Sequence, residues 1–362
     1  MTALTATHTI MNNKKRALIA MSGGVDSSAA AFLMQEAGFD CVGATMRLHR
    51  CTDASCGAPT DTEDARAIAD RLSMPFHVFD CFADFDAQVI DRFVCAYEQG
   101  ITPNPCIDCN RFLKFGLLYN YAKQLGCDCI ATGHYARIEQ AENGRWLLKK
   151  ALDPAKDQSY VLYALTQEQL SRTCFPLGGY SKPEIRAMAE ERGFVNAKKK
   201  DSQDICFVPD GDYAAFITRR TGKRYAPGKF VLENGTSIGR HKGLIHYTLG
   251  QRKGLGIAWA HPLYVLRKDT ARNEVILSDN AALFSDRLTA RDFNWIAFDA
   301  PQESIRCTAK TRYQAKEVAC TVTALPGSRA KVRFDAPVRA ITAGQAVVLY
   351  DGDTVLGGGT IE

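Results

Sequence analysis

The chain has 362 residues, 46% hydrophobic and 23% charged, a balance that fits a soluble multidomain protein and excludes a disordered or fibrous one. No apolar run approaches membrane-spanning length and residues 1–15 lack the apolar core of a signal peptide, so a cytoplasmic protein away from membranes is expected. The net charge of +5 is unevenly spread: residues 213–362 hold 22 Lys and Arg against 13 Asp and Glu, while residues 1–212 hold 23 against 27. A basic C-terminal part suits a polyanionic partner, because each neutralised phosphate releases counterions. Thirteen cysteines, several of them in apolar patterns, point to free thiols in a reducing compartment rather than a disulfide framework.

In chain order, short apolar runs at Arg16–Met21, Cys41–Met46, Pro75–Asp80 and Cys129–Thr132 read as strands. Helical spacing over Ser27–Ala37, Thr62–Leu72, Asp84–Glu98 and Arg111–Leu125 separates them. This is the βαβ alternation of a parallel sheet, whose ligands bind at the carboxyl ends of the strands. The segment Arg50–Asp61, with Cys51 and Cys56, is a long compositional break. Arg137–Lys150 reads as a hairpin around Asn143-Gly144, and Ser181–Arg192 as a helix with a Ser181/Glu184 capping box closed by Gly193. After residue 212 the pattern changes to short alternating strands broken by Gly, Pro and Asp-Gly pairs, such as Lys229–Ile238 and Lys331–Ile361. The expected organisation is an α/β domain over 1–212, a central β-rich unit over 213–285 and a last one over 286–362.

Between the first strand and first helix stands Ala20-Met21-Ser22-Gly23-Gly24-Val25-Asp26-Ser27-Ser28. Two glycines let successive N–H groups turn inward, and the helix N-terminus adds positive potential, which together suit phosphate oxygens. No lysine precedes the serine pair, so this is not the loop that presents β- and γ-phosphates for γ-transfer, and cleavage elsewhere on ATP is expected. The plainer alternative is a Gly-Gly turn capped by Asp26 or Ser27. Met46 and Gly133 would converge on this loop from neighbouring strand ends.

Further along lie Thr102-Pro-Asn-Pro-Cys-Ile-Asp-Cys-Asn110 and a distant Cys206 in Ser202-Gln-Asp-Ile-Cys206. These segments, with Ser22–Ser27, Ala131-Thr-Gly-His-Tyr135, Lys156-Asp-Gln-Ser159 and Tyr247-Thr-Leu-Gly-Gln-Arg-Lys-Gly254, resemble the bacterial tRNA 2-thiouridylases in family order. The resemblance implies an ATP-pyrophosphatase α/β domain of the adenine-nucleotide hydrolase type, followed by two small β-rich domains, the last a β-barrel. It also implies ATP-dependent adenylation of the C2 oxygen of a tRNA wobble uridine, then sulfur transfer with release of AMP and pyrophosphate. Cys109 then corresponds to the thiol that follows Asn-Pro, and Cys206 to the thiol that carries sulfur. Asn104, Pro105 and Cys106 would face the target base, Lys156, Asp157 and Gln158 would contact tRNA, and Arg312 and Tyr313 would reach it from the last domain. The partners implied are tRNA and a sulfur donor, either a persulfide-bearing protein such as a cysteine desulfurase or free sulfide.

The chain departs from the family at one position, where Cys106 replaces a frequent aspartate. Cys106, Cys109 and Cys206 form a three-point set for a 4Fe-4S cluster with one open iron, the arrangement preferred over a Cys206 persulfide attacked by Cys109. Zinc fits less well, because the nearest other pair, Cys127 and Cys129, flanks a core strand. Asp26 can assist Mg2+ on the phosphates or merely cap its helix. His134 either faces the nucleotide or serves structure. Other classes compatible with the loop are an adenylating ligase or amidating enzyme, and an RNA-binding iron or redox sensor without catalysis.

Overall fold

The computed structural model describes residues 14–49, 59–197, 199 and 205–362. Cys51, Cys56, Ser202, Gln203 and Asp204 lie outside the described residues. The first domain contains strands β1 (Arg16–Ala20), β2 (Asp40–Arg47), β3 (Phe76–Asp80), β4 (Cys129–Thr132), β5 (Ala136–Gln140), β6 (Trp146–Lys150) and β7 (Thr173–Cys174). Five of these form a parallel sheet in the order β3-β2-β1-β4-β7. Ala17, Leu18 and Ile19 of β1 are all 0% exposed, as expected for a central parallel strand covered on both faces. Each such Leu or Ile stabilises the fold by about 2 kcal/mol through burial. Because β1 pairs with β2 on one side and β4 on the other, a crevice opens at their carboxyl ends, where Met21–Gly24 leads into helix α1 (Val25–Glu36).

The expected strands and helices are present, with informative differences. Helix α2 (Pro59–Arg71) starts earlier than its periodicity suggested. The expected Arg111–Leu125 helix begins at Pro105, runs through a π-helical stretch over Cys109–Leu117 and ends at Gln124. Pro105 sits at its first turn with Asn104 as cap, the one helical location where proline loses no hydrogen bond. The Cys-x-x-Cys pair therefore lies on a helix rather than a loop. The Ser181/Glu184 box is formed, with the Glu184 carboxylate accepting from Ser181 N and Oγ, both at 2.7 Å. A helix at Tyr213–Thr221, capped by Asp212 and closed by Gly222 in the left-handed region, was not read from the sequence.

The central unit is a four-stranded sheet of β8 (Gly228–Leu232), β9 (Ser237–His241), β10 (Tyr264–Asp269) and β11 (Glu274–Ser278), in the order β10-β11-β8-β9. The last unit holds β12 (Phe284–Trp295), β13 (Ile305–Lys310), β14 (Val318–Leu325), β15 (Arg329–Arg339), β16 (Ala346–Asp351) and β17 (Thr354–Ile361). The β12–β17 pairing closes these six strands into a barrel, so that neither β12 nor β17 is left as an open edge. The hairpin β5–β6 leaves its own domain's sheet and continues the barrel sheet beside β17.

That graft fixes the barrel against the first domain. Arg145 donates to Ile296 O at 2.6 Å and to Phe298 O at 3.0 Å, and Asn294 donates to Tyr163 O and Leu165 O at 2.7 and 2.9 Å. Gln345 donates to Thr102 O at 2.9 Å, so the barrel holds the chain immediately before Asn104.

Candidate active site

The Ser22–Ser27 loop is held by its own polar groups. Ser22 N donates to Ser27 Oγ at 3.2 Å, and Ser27 Oγ donates to Gly24 O at 2.9 Å. Gly23 has φ +73°, and a Cβ there would lie 2.2 Å from Asp61 O at the start of α2, so only glycine fits. Gly133 meets the loop from β4: a Cβ would stand 2.8 Å from Ser27 N. Met21 is buried beneath, and Thr45 Oγ1 donates to its carbonyl at 2.7 Å. Ala20 and Met46 are partly buried in the adjoining core, so the structure gathers Ala20–Ser27, Met46 and Gly133 around the sheet's carboxyl edge.

Asp26 does not cap α1 through its side chain. Lys182 Nζ instead donates to both its oxygens at 2.7 Å, and Tyr135 Oη donates to Oδ1 at 2.7 Å. Lys182 is only 7% exposed, so this pair locks the first turn of α1 to the helix Lys182–Glu191. Two further residues reach the loop that the sequence did not single out. Asn196 donates to Gly23 O at 3.0 Å and to Ser28 Oγ at 2.9 Å, while Lys199 donates to Asp61 and Asp64 at 2.6 and 2.7 Å. The one local hint was the basic run at 198–200 before the Cys206 segment.

The thiols are disposed differently. Cys109 is buried in an apolar cluster with Phe85, Phe93, Leu113 and Phe207, whereas Cys106, one helical turn earlier, is exposed. Phe207 lies edge-on to Phe85 and Phe93 with ring centroids 5.8 and 5.2 Å away, which brings its neighbour Cys206 to the mouth of that cluster. Burial pushes the Cys109 thiol up, against the pull of Lys114. Cys206 keeps exposed surface, yet surrounding protein and the adjacent Cys109 and Cys106 push its thiol up to about 12. Both thiols are protonated near neutral pH. The raised pKa of Asp108 has the same cause, burial, moderated by Arg92 at 3.3 Å. Beside Cys109, the Oδ1 of Asn110 is buried with no partner among the described residues, although its Nδ2 donates to Val161 O at 3.0 Å.

Among the described residues no three His, Cys, Asp or Glu side chains are grouped closely enough to hold a metal ion. Of the expected set, Cys109 lies in an apolar cluster, Cys106 is exposed one turn earlier on the same helix, and Cys206 is exposed beside Phe207 of that cluster.

Of the expected RNA-contacting residues, several are occupied internally. Asn104 accepts from Cys106 N at 3.2 Å as a helix cap, and Pro105 is buried. Asp157 accepts from Ala151 N and Ser159 Oγ at 3.1 and 2.8 Å, and Gln158 accepts from Tyr135 N at 2.9 Å. Asp157 and Gln158 thus use these side-chain oxygens to shape their own loop. Lys156 is partly exposed on that loop, and Arg312 is exposed on the segment joining β13 to β14. Tyr313, 39% exposed, donates to Asp157 O at 3.1 Å, and Cys106 is among the groups that raise its phenol pKa after burial and Asp157. The barrel thus reaches the loop that carries Asp157. His134 is buried at 2.7 Å from Thr132 Oγ1 between Phe115 and Phe175, with its pKa depressed by burial, which marks it as structural.

Comparison with known proteins follows the same three parts. Family models described as the tRNA methyl transferase HUP domain, the tRNA methyl transferase PRC-barrel domain and the aminomethyltransferase beta-barrel domain match residues 15–210, 214–279 and 285–361. The chain is 49% identical over 360 residues to the tRNA-specific 2-thiouridylase MnmA of Geotalea uraniireducens, covering 97% of this chain and 96% of that protein. It is 46% identical over 354 residues to the protein of the same name from Clostridioides difficile, covering 96% and 98%. The chain belongs to the tRNA-specific 2-thiouridylase family. Its resemblance to a solved 4-thiouridine synthetase–RNA complex with bound ATP is loose, at TM-score 0.36 and 17% identity over 55% of this chain and 46% of that one. Among the described residues no helix is long and apolar enough to cross a membrane.

Proposed function

We propose that this member of the family converts a tRNA wobble uridine to 2-thiouridine at the expense of ATP. What carries the reading is the placement of Cys206, beside Phe207, next to the apolar cluster that buries Cys109, in the domain whose strand ends hold the glycine loop. ATP fits that loop through inward N–H groups and the α1 N-terminus. The uridine O2 attacks the α-phosphate, pyrophosphate leaves, and C2 then carries an adenylate that can depart as AMP. Mg2+ accompanying the triphosphate would neutralise the leaving pyrophosphate, but both Asp26 oxygens are engaged by Lys182, so Asp26 acts in holding the loop.

We assign the sulfur step to thiols, a reading supported by the burial of Cys109 and the exposure of Cys106; the cluster on Cys106, Cys109 and Cys206 is the alternative that the test separates. A donor leaves a persulfide on Cys206. The Cys109 thiolate attacks the inner sulfur, forming a Cys109–Cys206 disulfide and releasing HS⁻. HS⁻ adds at C2, AMP leaves, and loss of one proton gives the thiocarbonyl. An external dithiol must then reduce the disulfide by two electrons, itself becoming a disulfide, to restore both cysteines. Protonation of both thiols at rest protects them from futile oxidation and makes deprotonation part of the reaction.

The test uses tRNA, ATP, a cysteine desulfurase and cysteine, with AMP and 2-thiouridine measured separately. Cys109→Ser and Cys206→Ser are expected to lose 2-thiouridine. Cys106→Asp is expected to keep it without iron. Loss of thiolation and of bound iron together in all three cysteine variants would replace the relay with a cluster. Failure of tRNA to stimulate AMP formation in the wild type would remove the thiouridylase reading itself.

A further inference from the structure

Outside the site, two other cysteines stand face to face. Cys307 of β13 is directly opposite Cys320 of β14 in the antiparallel register, and their sulfurs are 3.6 Å apart. Directly opposed residues in an antiparallel pair have Cα separations of about 4.5–5.5 Å, inside the range a disulfide requires. The register cannot drift, because β14 is also paired with β15 and β13 with β16 in the closed barrel. On the outer face the adjacent rung is clamped by Arg306, which donates to Thr321 Oγ1 at 3.1 Å and to both Asp335 oxygens at 2.7 and 2.6 Å. Access is graded: Cys307 is partly exposed, whereas Cys320 is fully buried in the barrel core.

The position of the pair gives it a consequence. The stem it spans ends in the segment 311–317, which presents Arg312 and, through the Tyr313 hydroxyl on Asp157 O, meets the loop beside the Cys-x-x-Cys helix. We propose that Cys307 and Cys320 are a redox modification site, closing into a disulfide that staples the stem of the RNA-facing hairpin. Peroxide oxidises the Cys307 thiol to a sulfenic acid with release of water. The Cys320 thiol then displaces hydroxide from that sulfur, forming the disulfide and a second water. A dithiol reductant returns both thiols. The role assigned to the hairpin rests on the thiouridylase reading, but the chemistry of the pair does not.

Full-length protein is treated with stoichiometric hydrogen peroxide, alkylated and digested with trypsin without reduction. Peptides 307–310 and 317–329 are expected as one linked species, 2 Da lighter than their sum and separated by dithiothreitol. The linked species is expected in a Cys109→Ser/Cys206→Ser background and absent from Cys307→Ser. The oxidised form is expected to melt several degrees higher than the reduced form, since a short loop is closed in the unfolded chain. Recovery of both peptides alkylated, under peroxide that oxidises Cys109 or Cys206, would overturn the proposal. So would linkage of Cys307 to any cysteine other than Cys320. Either result would leave the tRNA-dependent AMP assay, and hence the functional reading, untouched.

Discussion

The nucleotide loop and the thiol site share one domain but are built in opposite ways. Around the loop, polar groups close on one another: Asp26 with Lys182 and Tyr135, Asn196 with Gly23 and Ser28, Lys199 with Asp61 and Asp64. Around the thiols the interaction is with apolar surface, Asn110 Oδ1 lacks a partner among the described residues, and burial holds the thiols protonated. The first region is organised before substrate arrives, so its hydrogen-bond donors cost no reorganisation at the moment of reaction. The second waits for a base and a sulfur to supply what it lacks. A two-step reaction fits this division, since a thiolate exposed before adenylation would be spent on oxidants.

The largest expected effect comes from breaking the loop. Gly23→Ala would drive a methyl group into Asp61 O, and the backbone would need to leave the left-handed region. Tenths of an ångström matter for in-line attack, so tRNA-dependent AMP formation and thiolation are both expected to fall on the order of 100-fold or more. Cys109→Ser, by contrast, is expected to abolish thiolation and AMP release while adenylation, read as pyrophosphate released in a single turnover, continues. Equal loss of pyrophosphate in both variants would mean the two regions do not divide the reaction.

Next is the buried pair under the loop. Lys182→Met leaves Asp26 without this ion partner, with Tyr135 still donating. Stranding a largely enclosed carboxylate costs about 2–3 kcal/mol, less than a fully buried pair because the Asp26 side chain is 31% exposed. A urea midpoint unchanged from the wild type would show that the pair is not structural.

How much of this could be read beforehand follows from the physics of each part. The glycine loop was legible because positive φ and an inward nest demand glycine at fixed places between a strand and a helix. The strands and the capped helix at Ser181 announced themselves by period and capping box. Lys182 and Asn196 were not legible, since their partners are more than 150 residues away and lone polar residues carry no local signal. Asp157 and Gln158 were expected to meet RNA, yet their side chains satisfy backbone groups, a use sequence alone does not separate from exposure. The hairpin β5–β6 was recognised by its Asn-Gly turn, but its membership in the barrel sheet depends on a contact from the far end of the chain.

A pH effect sharpens the apolar side of the comparison. Lys268 packs near Tyr97, a member of the Cys109 cluster, with Nζ 5.8 Å from the ring centroid and donating to Tyr247 O at 3.0 Å. Burial lowers its pKa to about 8 from 10.5. Below pH 8 both folded and unfolded chains carry the proton, and the fold bears the full cost of enclosing it. Between pH 8 and 10.5 the unfolded chain binds more protons, so stability rises with pH by linkage. Lys268→Met is expected to stabilise the protein by about 2 kcal/mol at pH 7, after allowance for the lost hydrogen bond, and to flatten the rise above pH 8. A destabilised variant at pH 7 would show that the bond to Tyr247 outweighs desolvation.

The smallest effect concerns where RNA meets the two regions. Arg312 is exposed at the end of the hairpin stem, next to the tyrosine that touches the Asp157 loop, and it lies far in sequence from the nucleotide loop. A cation so placed contributes mainly by displacing counterions from a phosphate, a term that depends on salt rather than on base identity. Arg312→Glu should therefore weaken tRNA binding on the order of 10-fold at low salt and reduce the salt slope by about one to two. The AMP-forming rate at saturating tRNA should stay near the wild-type value, because the loop is assembled without Arg312. An unaltered salt slope would mean that RNA crosses the protein elsewhere. A lost rate at saturation would mean that the barrel takes part in aligning the uridine, and the division between a preformed loop and a substrate-completed thiol site would then have to include the hairpin.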